Sequence, residues 1–406
     1  MSSPKEQIAL PLEFESALRR VEPQDTRSDE DLLALLSKFH PVTSEKNIWC
    51  FWHSGLHGLP AWCCRNVLDW MRINGPSWTV RVLDSDPESS NYILRYIPKD
   101  LMPDAVVQGG MTGPFVGQHT ADFVRSAVVY CHGGVFMDVG ILLIRRLDRL
   151  CWDQLADPAS PYNMAITSMK KDNIANHFVA SRRGDPLILR WHNLMLHIWQ
   201  GRTEGKGAII ANPLLQFLLE KDPADGAEIR KPLGWDFNDP VTILEYVGQI
   251  LAFQRLCHLN KEDEDGFNCY KYWCNNVLVW DTLPEHWAAE QMAARVGPHP
   301  WIMERLAMRR DEDVGSENWK ASYNLTWRLL TKSSLMKVTS GHGLTITPHL
   351  GVLWNMPENQ GKDCAEGTFA ELLRYGTVHF EQTRESIAYL HDLRPAEPLE
   401  KTLVEV

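Results

Sequence analysis

Nowhere in the 406-residue chain is there a run of eighteen apolar residues, so the sequence offers no helix able to span a bilayer. Basic residues are also short: 41 Lys and Arg against 52 Asp and Glu leave a formal charge of −11, which opposes general affinity for the phosphate backbone of nucleic acid. Met1 to Leu12 has neither a continuous apolar segment nor a small-residue cleavage pattern, so no signal peptide is expected and a cytoplasmic location is. Nine cysteines, an odd number, do not make a disulfide framework, and none has zinc-ligand spacing: Cys63 and Cys64 are adjacent, and Cys269 and Cys274 flank an aromatic stretch. There is no internal repeat, no low-complexity tract, no GxxxxGK loop after a strand and no Gly-x-Ser-x-Gly elbow, which argues against a P-loop enzyme and against a serine hydrolase.

What is present is an ordinary globular composition, 44% hydrophobic and 23% charged, long enough for one enlarged α/β domain. Residues 1–40 read as a polar N-terminal extension with one helix near Asp31 to Phe39. Asn47 to Trp52 reads as a buried strand, Pro60 to Asn74 as a helix stopped by Gly75-Pro76, and Trp78 to Leu83 as a second strand. Strand, helix and strand at this spacing predict a βαβ unit in a parallel sheet, whose ligands bind at the carboxyl ends of the strands. Met102 to Gly117, rich in Gly and Pro, reads as irregular and suited to a lid. Further strands are expected at Asn163 to Thr167 and His177 to Ser181. Helices are expected at Pro186 to Trp199, Asn212 to Glu220, Thr242 to Leu259, Glu317 to Leu335 and Gly367 to Tyr375. The domain reading is therefore an α/β core over 41–200, a helical part over 201–390 packed around the sheet, and a tail over 391–406.

Between Ala121 and Asp148 the pattern becomes chemical. A helix from about His119 to Cys131 puts Asp122 and Arg125 on one face, three residues apart. Gly133 and Gly134 then allow a tight turn, and a strand from Val135 to Met137 presents Asp138 at its end. A carboxylate, a guanidinium and a glycine-lined approach at a strand terminus form a pocket suited to a sugar hydroxyl or a diphosphate. A surface ion pair for Asp122 and Arg125, a turn acid for Asp138 and a core tryptophan for Trp52 are the plainer alternatives. His53, His57 and His132 read as loop or satisfied histidines, His119 as a helix cap or ligand contact, and Asp148 as a turn acid. The acidic run Glu262 to Asp265 reads as a solvated loop, and Thr339-Ser-Gly-His-Gly343 as a glycine-rich segment able to close over a diphosphate.

The ordered set Ala121-Asp-Phe-Val-Arg125, Gly133-Gly-Val-Phe-Met-Asp-Val-Gly140 and Leu147-Asp148 resembles the sugar-binding region of DXD-type glycosyltransferases. These include the yeast initiating mannosyltransferases, the large clostridial toxin glucosyltransferases and the capsular polysaccharide synthesis proteins. Asp138-Val-Gly140, Cys151-Trp-Asp153 and Tyr375-Gly-Thr-Val-His-Phe380 are most similar to the fungal branch of the last group. The motif region spans roughly Trp49 to Trp191, and the branch resemblance extends to about Arg384. It implies a GT-A-like α/β fold with a mainly parallel central sheet flanked by helices and a helical C-terminal half.

The same resemblance implies that a hexose moves from a nucleotide-sugar donor to a small-molecule or glycan acceptor, with retention of configuration. Trp52 then stacks on the donor base, Asp122 and Arg125 hold donor sugar and phosphate, and Asp138 matches the first acid of the DXD motif, contacting sugar or a divalent cation (Mn or Mg). The chain departs from the motif where Gly140 replaces the second acid, which leaves the metal in doubt; Asp84, Asp86, Asp148, His342 or His379 are candidates to compensate. Two other readings of such a chain are an aminoacyl-tRNA-dependent cyclodipeptide synthase, for which tRNA would be the partner, and a nucleotide-sugar-binding protein without activity.

Overall fold

The computed structural model describes residues 7–170, 173–220, 238–285, 299–339 and 343–406. Its centre is a six-stranded sheet in the order β3-β2-β4-β7-β6-β8. These strands are β2 (Asn47–Phe51), β3 (Thr79–Leu83), β4 (Gly134–Met137), β6 (Met164–Lys170), β7 (Asn173–Ser181) and β8 (Val277–Asp281). β2 pairs in parallel with β3 and β4, and β6 with β8, while β7 runs antiparallel to both neighbours. Five of the six strands thus point one way, as the mainly parallel reading requires.

Alternation along β2 shows why the strand is central. Ile48 and Cys50 join one apolar cluster and Trp49 and Phe51 the other, so both faces of the sheet are covered. The first cluster packs under α2 (Ala61–Asn74) and two late helices; the second packs under α3 (Val116–His132) and α4 (Pro186–Ile198). Pro60 precedes α2 and Gly75, at φ 68°, ends it, which is the pattern of punctuation expected. Asp185 starts α4 by accepting from the amides of Leu187 and Ile188.

The expected single helix over Thr242 to Leu259 is two, α5 (Pro240–Tyr246) and α6 (Gly248–His258). Gly248 follows the break, where an added Cβ would meet Ile209 Cδ1 at 2.5 Å. Three further helices follow: α7 (His299–Ala307), α8 (Glu317–Lys332) and α9 (Phe369–His379). A short helix, Asp104–Val107, forms inside the segment expected to be irregular.

The C-terminal half is more than a helical wrap. β8 extends the central sheet, and β9 (Leu335–Lys337) pairs antiparallel with β5 (Ile141–Leu143), Ile141 opposite Lys337. The N-terminal residues are likewise tied in. β1 (Leu18–Arg20) pairs with β10 (Phe380–Gln382), and Leu32 and Leu36 of α1 (Asp29–Leu36) are buried in the core. The tail is fastened too, since Leu399 exchanges backbone bonds with His258 and Asn260, and Arg255 donates to the carbonyls of Thr402 and Leu403. Short strands pairing over such separations carry no local signal, which is why the sequence suggested looser ends.

Candidate active site

At the carboxyl end of β4 the chain makes a tight turn in which the amide of Ile141 donates to the Asp138 carbonyl at 3.1 Å. Asp138 stands at this turn, and its amide extends the ladder to His177 of β7 at 3.0 Å. Beside it α3 presents Asp122 and Arg125 on one buried face. The Arg125 guanidinium donates to Asp122 Oδ1 at 2.5 Å and to Asp138 Oδ1 at 3.1 Å, and its carbon lies 4.9 Å from the centre of the Phe136 ring. Asp138 Oδ2 accepts from Lys337 Nζ at 3.2 Å. Four side chains therefore alternate in charge: Asp122, Arg125, Asp138, Lys337.

Gln249 of α6 fixes the buried end of this row. Its Oε1 accepts from Arg125 and from Asn176 Nδ2, the latter at 2.9 Å, and its Nε2 donates to the Asp122 carbonyl. Burial pushes the Asp122 carboxyl up to about 6, against the pull of Arg125. The two acids outweigh the burial of Arg125 and hold its guanidinium above the ordinary range. Arg125 Nε remains buried without a protein partner among the described residues.

The row forms one wall of a cavity of about 460 Å³. Phe51, Trp52, His53 and Ser54 line its side at the end of β2, and Ile243, Val247, Ile250 and Leu344 give it an apolar side. Trp52 is half-buried and its indole donates to the Gly58 carbonyl at 2.9 Å, which holds the ring at the cavity wall. His299 and His349 stack at 4.7 Å. Burial lowers His299 to about 4; burial, then His299 and Lys337, lowers His349 to about 3, so neither adds charge near neutral pH.

Trp52, Asp122, Arg125 and Asp138 thus come together. Gly133 and Gly134 do not line the cavity: they lie at the opposite end of β4, with φ of 68° and 106°, and a Cβ on Gly134 would meet the Asn47 carbonyl at 2.4 Å. Their work is to start the strand against β2. His119 is packed between Phe115 and Trp199, and His132 bonds the Tyr96 carbonyl at 2.7 Å. The acidic run over 262–265 is not simply solvated, because Arg190 pairs with both Asp263 and Asp265.

Sequence reasoning missed Lys337, Gln249 and Asn176. Gln249 had a usable signal, a polar residue on the buried face of an apolar helix. Lys337 had none beyond closing a short apolar stretch.

The residues here do not fit a dedicated divalent cation. Both oxygens of Asp138 are taken by cations, and Asp122 is turned onto Arg125. An added Cβ at Gly140 would meet Thr339 Cγ2 at 2.6 Å, so a second acid there would require Thr339 to shift. Asp148 is paired with Lys46 at 2.9 Å, Asp84 accepts from Ser89 at 2.5 Å, and His379 stacks on Tyr375 at 4.2 Å; none of these, nor Asp86, lines the cavity. His342 lies outside the described residues, as does most of the glycine-rich segment Thr339 to Gly343.

Comparison with known proteins places this geometry. Residues 28–229 match the family model described as capsular polysaccharide synthesis protein. The chain is 47% identical over 400 residues to the probable glycosyltransferase FCK3 of Fusarium pseudograminearum, covering 98% of this chain and 100% of that one. It belongs to this glycosyltransferase family. The O-glycosyltransferase braB of Annulohypoxylon truncatum is 34% identical over 94% of this chain and 91% of its own. The O-glycosyltransferase PaGT of Phomopsis amygdali is 35% identical over 89% and 88%. The enzyme class expected from the motif is thereby established for this transferase. Among the described residues no helix is long and apolar enough to cross a membrane.

Proposed function

We propose that this transferase moves a hexose from a nucleotide sugar to a hydroxyl of a small molecule with a largely apolar body. The observation that carries the reading is that one cavity is lined both by a row of four charged side chains and by the apolar Ile243, Val247, Ile250 and Leu344. The charged wall suits a diphosphate and sugar hydroxyls. The apolar wall favours a small hydrophobic acceptor over a glycan, whose hydroxyls would be left without partners there.

In this reading Trp52 stacks on the base, Arg125 binds phosphate, and Asp122 and Asp138 orient the sugar. The bond from the anomeric carbon to the phosphate oxygen breaks, the acceptor oxygen bonds to that carbon, and the acceptor proton passes to the departing diphosphate. Both acids are committed to cations, which supports retention with phosphate oxygen as the base. Catalysis is then positioning and charge stabilisation of the leaving group. The reading keeps the protein in a reducing compartment such as the cytosol, in line with an odd count of nine cysteines.

The test is thermal unfolding of the full chain against a panel of nucleotide sugars, followed by turnover of the stabilising donor with apolar alcohols and proton NMR of the product anomer. One donor raising Tm and an α-to-α or β-to-β outcome support the reading; inversion removes the retaining mechanism, and no shift with any donor removes the donor assignment.

A further inference from the structure

Divalent cations that carry a nucleoside diphosphate usually take one or two carboxylates, with phosphate oxygens and water completing the shell. Among the described residues no three His, Cys, Asp or Glu side chains gather to hold a metal. A metal on Asp138 would have to displace Lys337 from Oδ2 while facing the Arg125 guanidinium on Oδ1. Like charges at such separations repel strongly when partly buried, and among the described residues no spare carboxylate lines the cavity to offset them. Among the described residues, the charged side chains lining the cavity are two acids and two bases, which balance with histidine neutral.

Lys337 has donors to give: of its three, one is used among the described residues, on Asp138. Both cations reach one carboxylate, so they stand within the span of a single diphosphate. Lys337 is held there by the pairing of β9 with β5, and the amide of Val338 donates to the Gly140 carbonyl at 3.0 Å.

We propose that Lys337, with Arg125, supplies at Asp138 the positive charge that neutralises the donor diphosphate, making transfer independent of divalent cations. The inference rests on the nucleotide-sugar reading above. A charge-assisted contact of this kind changes Kd about ten- to hundred-fold.

The experiment is calorimetric titration of the full chain with UDP, GDP, ADP, CDP and dTDP, once in EDTA and once in manganese. At least one diphosphate is expected to bind equally well in both, within about threefold. Lys337→Met should weaken that binding at least about tenfold and Lys337→Arg should retain it within a few-fold, with circular dichroism and the unliganded Tm confirming that both fold. Binding by the unaltered chain that occurs only with manganese overturns the proposal without needing any variant, as does a well-folded Lys337→Met protein that binds normally. Failure of every diphosphate in both conditions removes the donor reading itself, and this inference with it.

Discussion

Lys337 and Asp138 lie 199 positions apart in the chain and meet at 3.2 Å. The contact is made possible by three residues of β5 and three of β9, which bring the two strand ends to the same turn. A site acid shared by Lys337 and Arg125 is unlike a solvated ion pair: the Arg125 side chain is 4% exposed and that of Lys337 is 16% exposed, so screening by water is weak.

Asp138→Asn tests the acid directly. Its amide fits the same space but cannot hold two cations, so kcat/KM should fall about 10²- to 10³-fold while Tm moves by a few degrees at most. Steady-state kinetics beside thermal unfolding checks both halves. A fully active Asp138→Asn enzyme would remove Asp138 from the site.

Asp122 makes stability depend on pH in a definite direction. Its folded pKa of about 6 lies above the ordinary 3.8, so the folded chain keeps a proton that the unfolded chain releases. The Asp122 contribution is therefore most favourable below about pH 4, declines as pH rises, and is level above about pH 6, a change of ~2–3 kcal/mol. Asp122→Asn cannot titrate. Urea unfolding should show the unaltered protein losing ground to this variant between about pH 4 and pH 6; a pH-independent gap would contradict the buried carboxyl.

Gly134→Ala separates a structural glycine from a ligand-binding one. The φ of 106° and the 2.4 Å approach to the Asn47 carbonyl predict a loss of about 2–4 kcal/mol in stability. At a temperature where the variant stays folded, KM for the donor should be unchanged. A raised donor KM with normal Tm would return Gly134 to the site.

Ile250→Trp probes the apolar wall. Filling this side of the cavity should raise acceptor KM about tenfold or more and leave nucleoside diphosphate affinity within a few-fold. Loss of diphosphate binding instead would place the donor there.

The parts legible in the sequence were those with local grammar. The βαβ unit showed itself through period-2 strands, the Pro60 start and the Gly75 stop, and Asp122 with Arg125 through helical spacing. The two glycines were read as a turn ahead of the strand and also as part of the approach to Asp138; Val135, Phe136 and Met137 stand between Gly134 and that acid, so the glycines do not line the cavity. β9 and β10 are three residues each and are defined only by distant partners, so periodicity could not find them. β8 hides directly behind the helix Cys269–Asn276, where an apolar run continues without punctuation. Lys337 went unseen for the same reason: its meaning lies in β5, not in its neighbours.

That dependence has a consequence during synthesis. A ribosome that has released only residues 1–300 has already delivered all six strands of the central sheet, together with Trp52, Asp122, Arg125, Asp138 and Gln249. It has not yet delivered β9, so Asp138 still lacks its lysine. Emerging chains can collapse around the sheet first, as domains forming from the N-terminus do, while the pair proposed to bind the diphosphate is completed late, when Leu335–Lys337 docks. On the role proposed for Lys337, an unfinished polypeptide lacks the full diphosphate site until its last quarter exists.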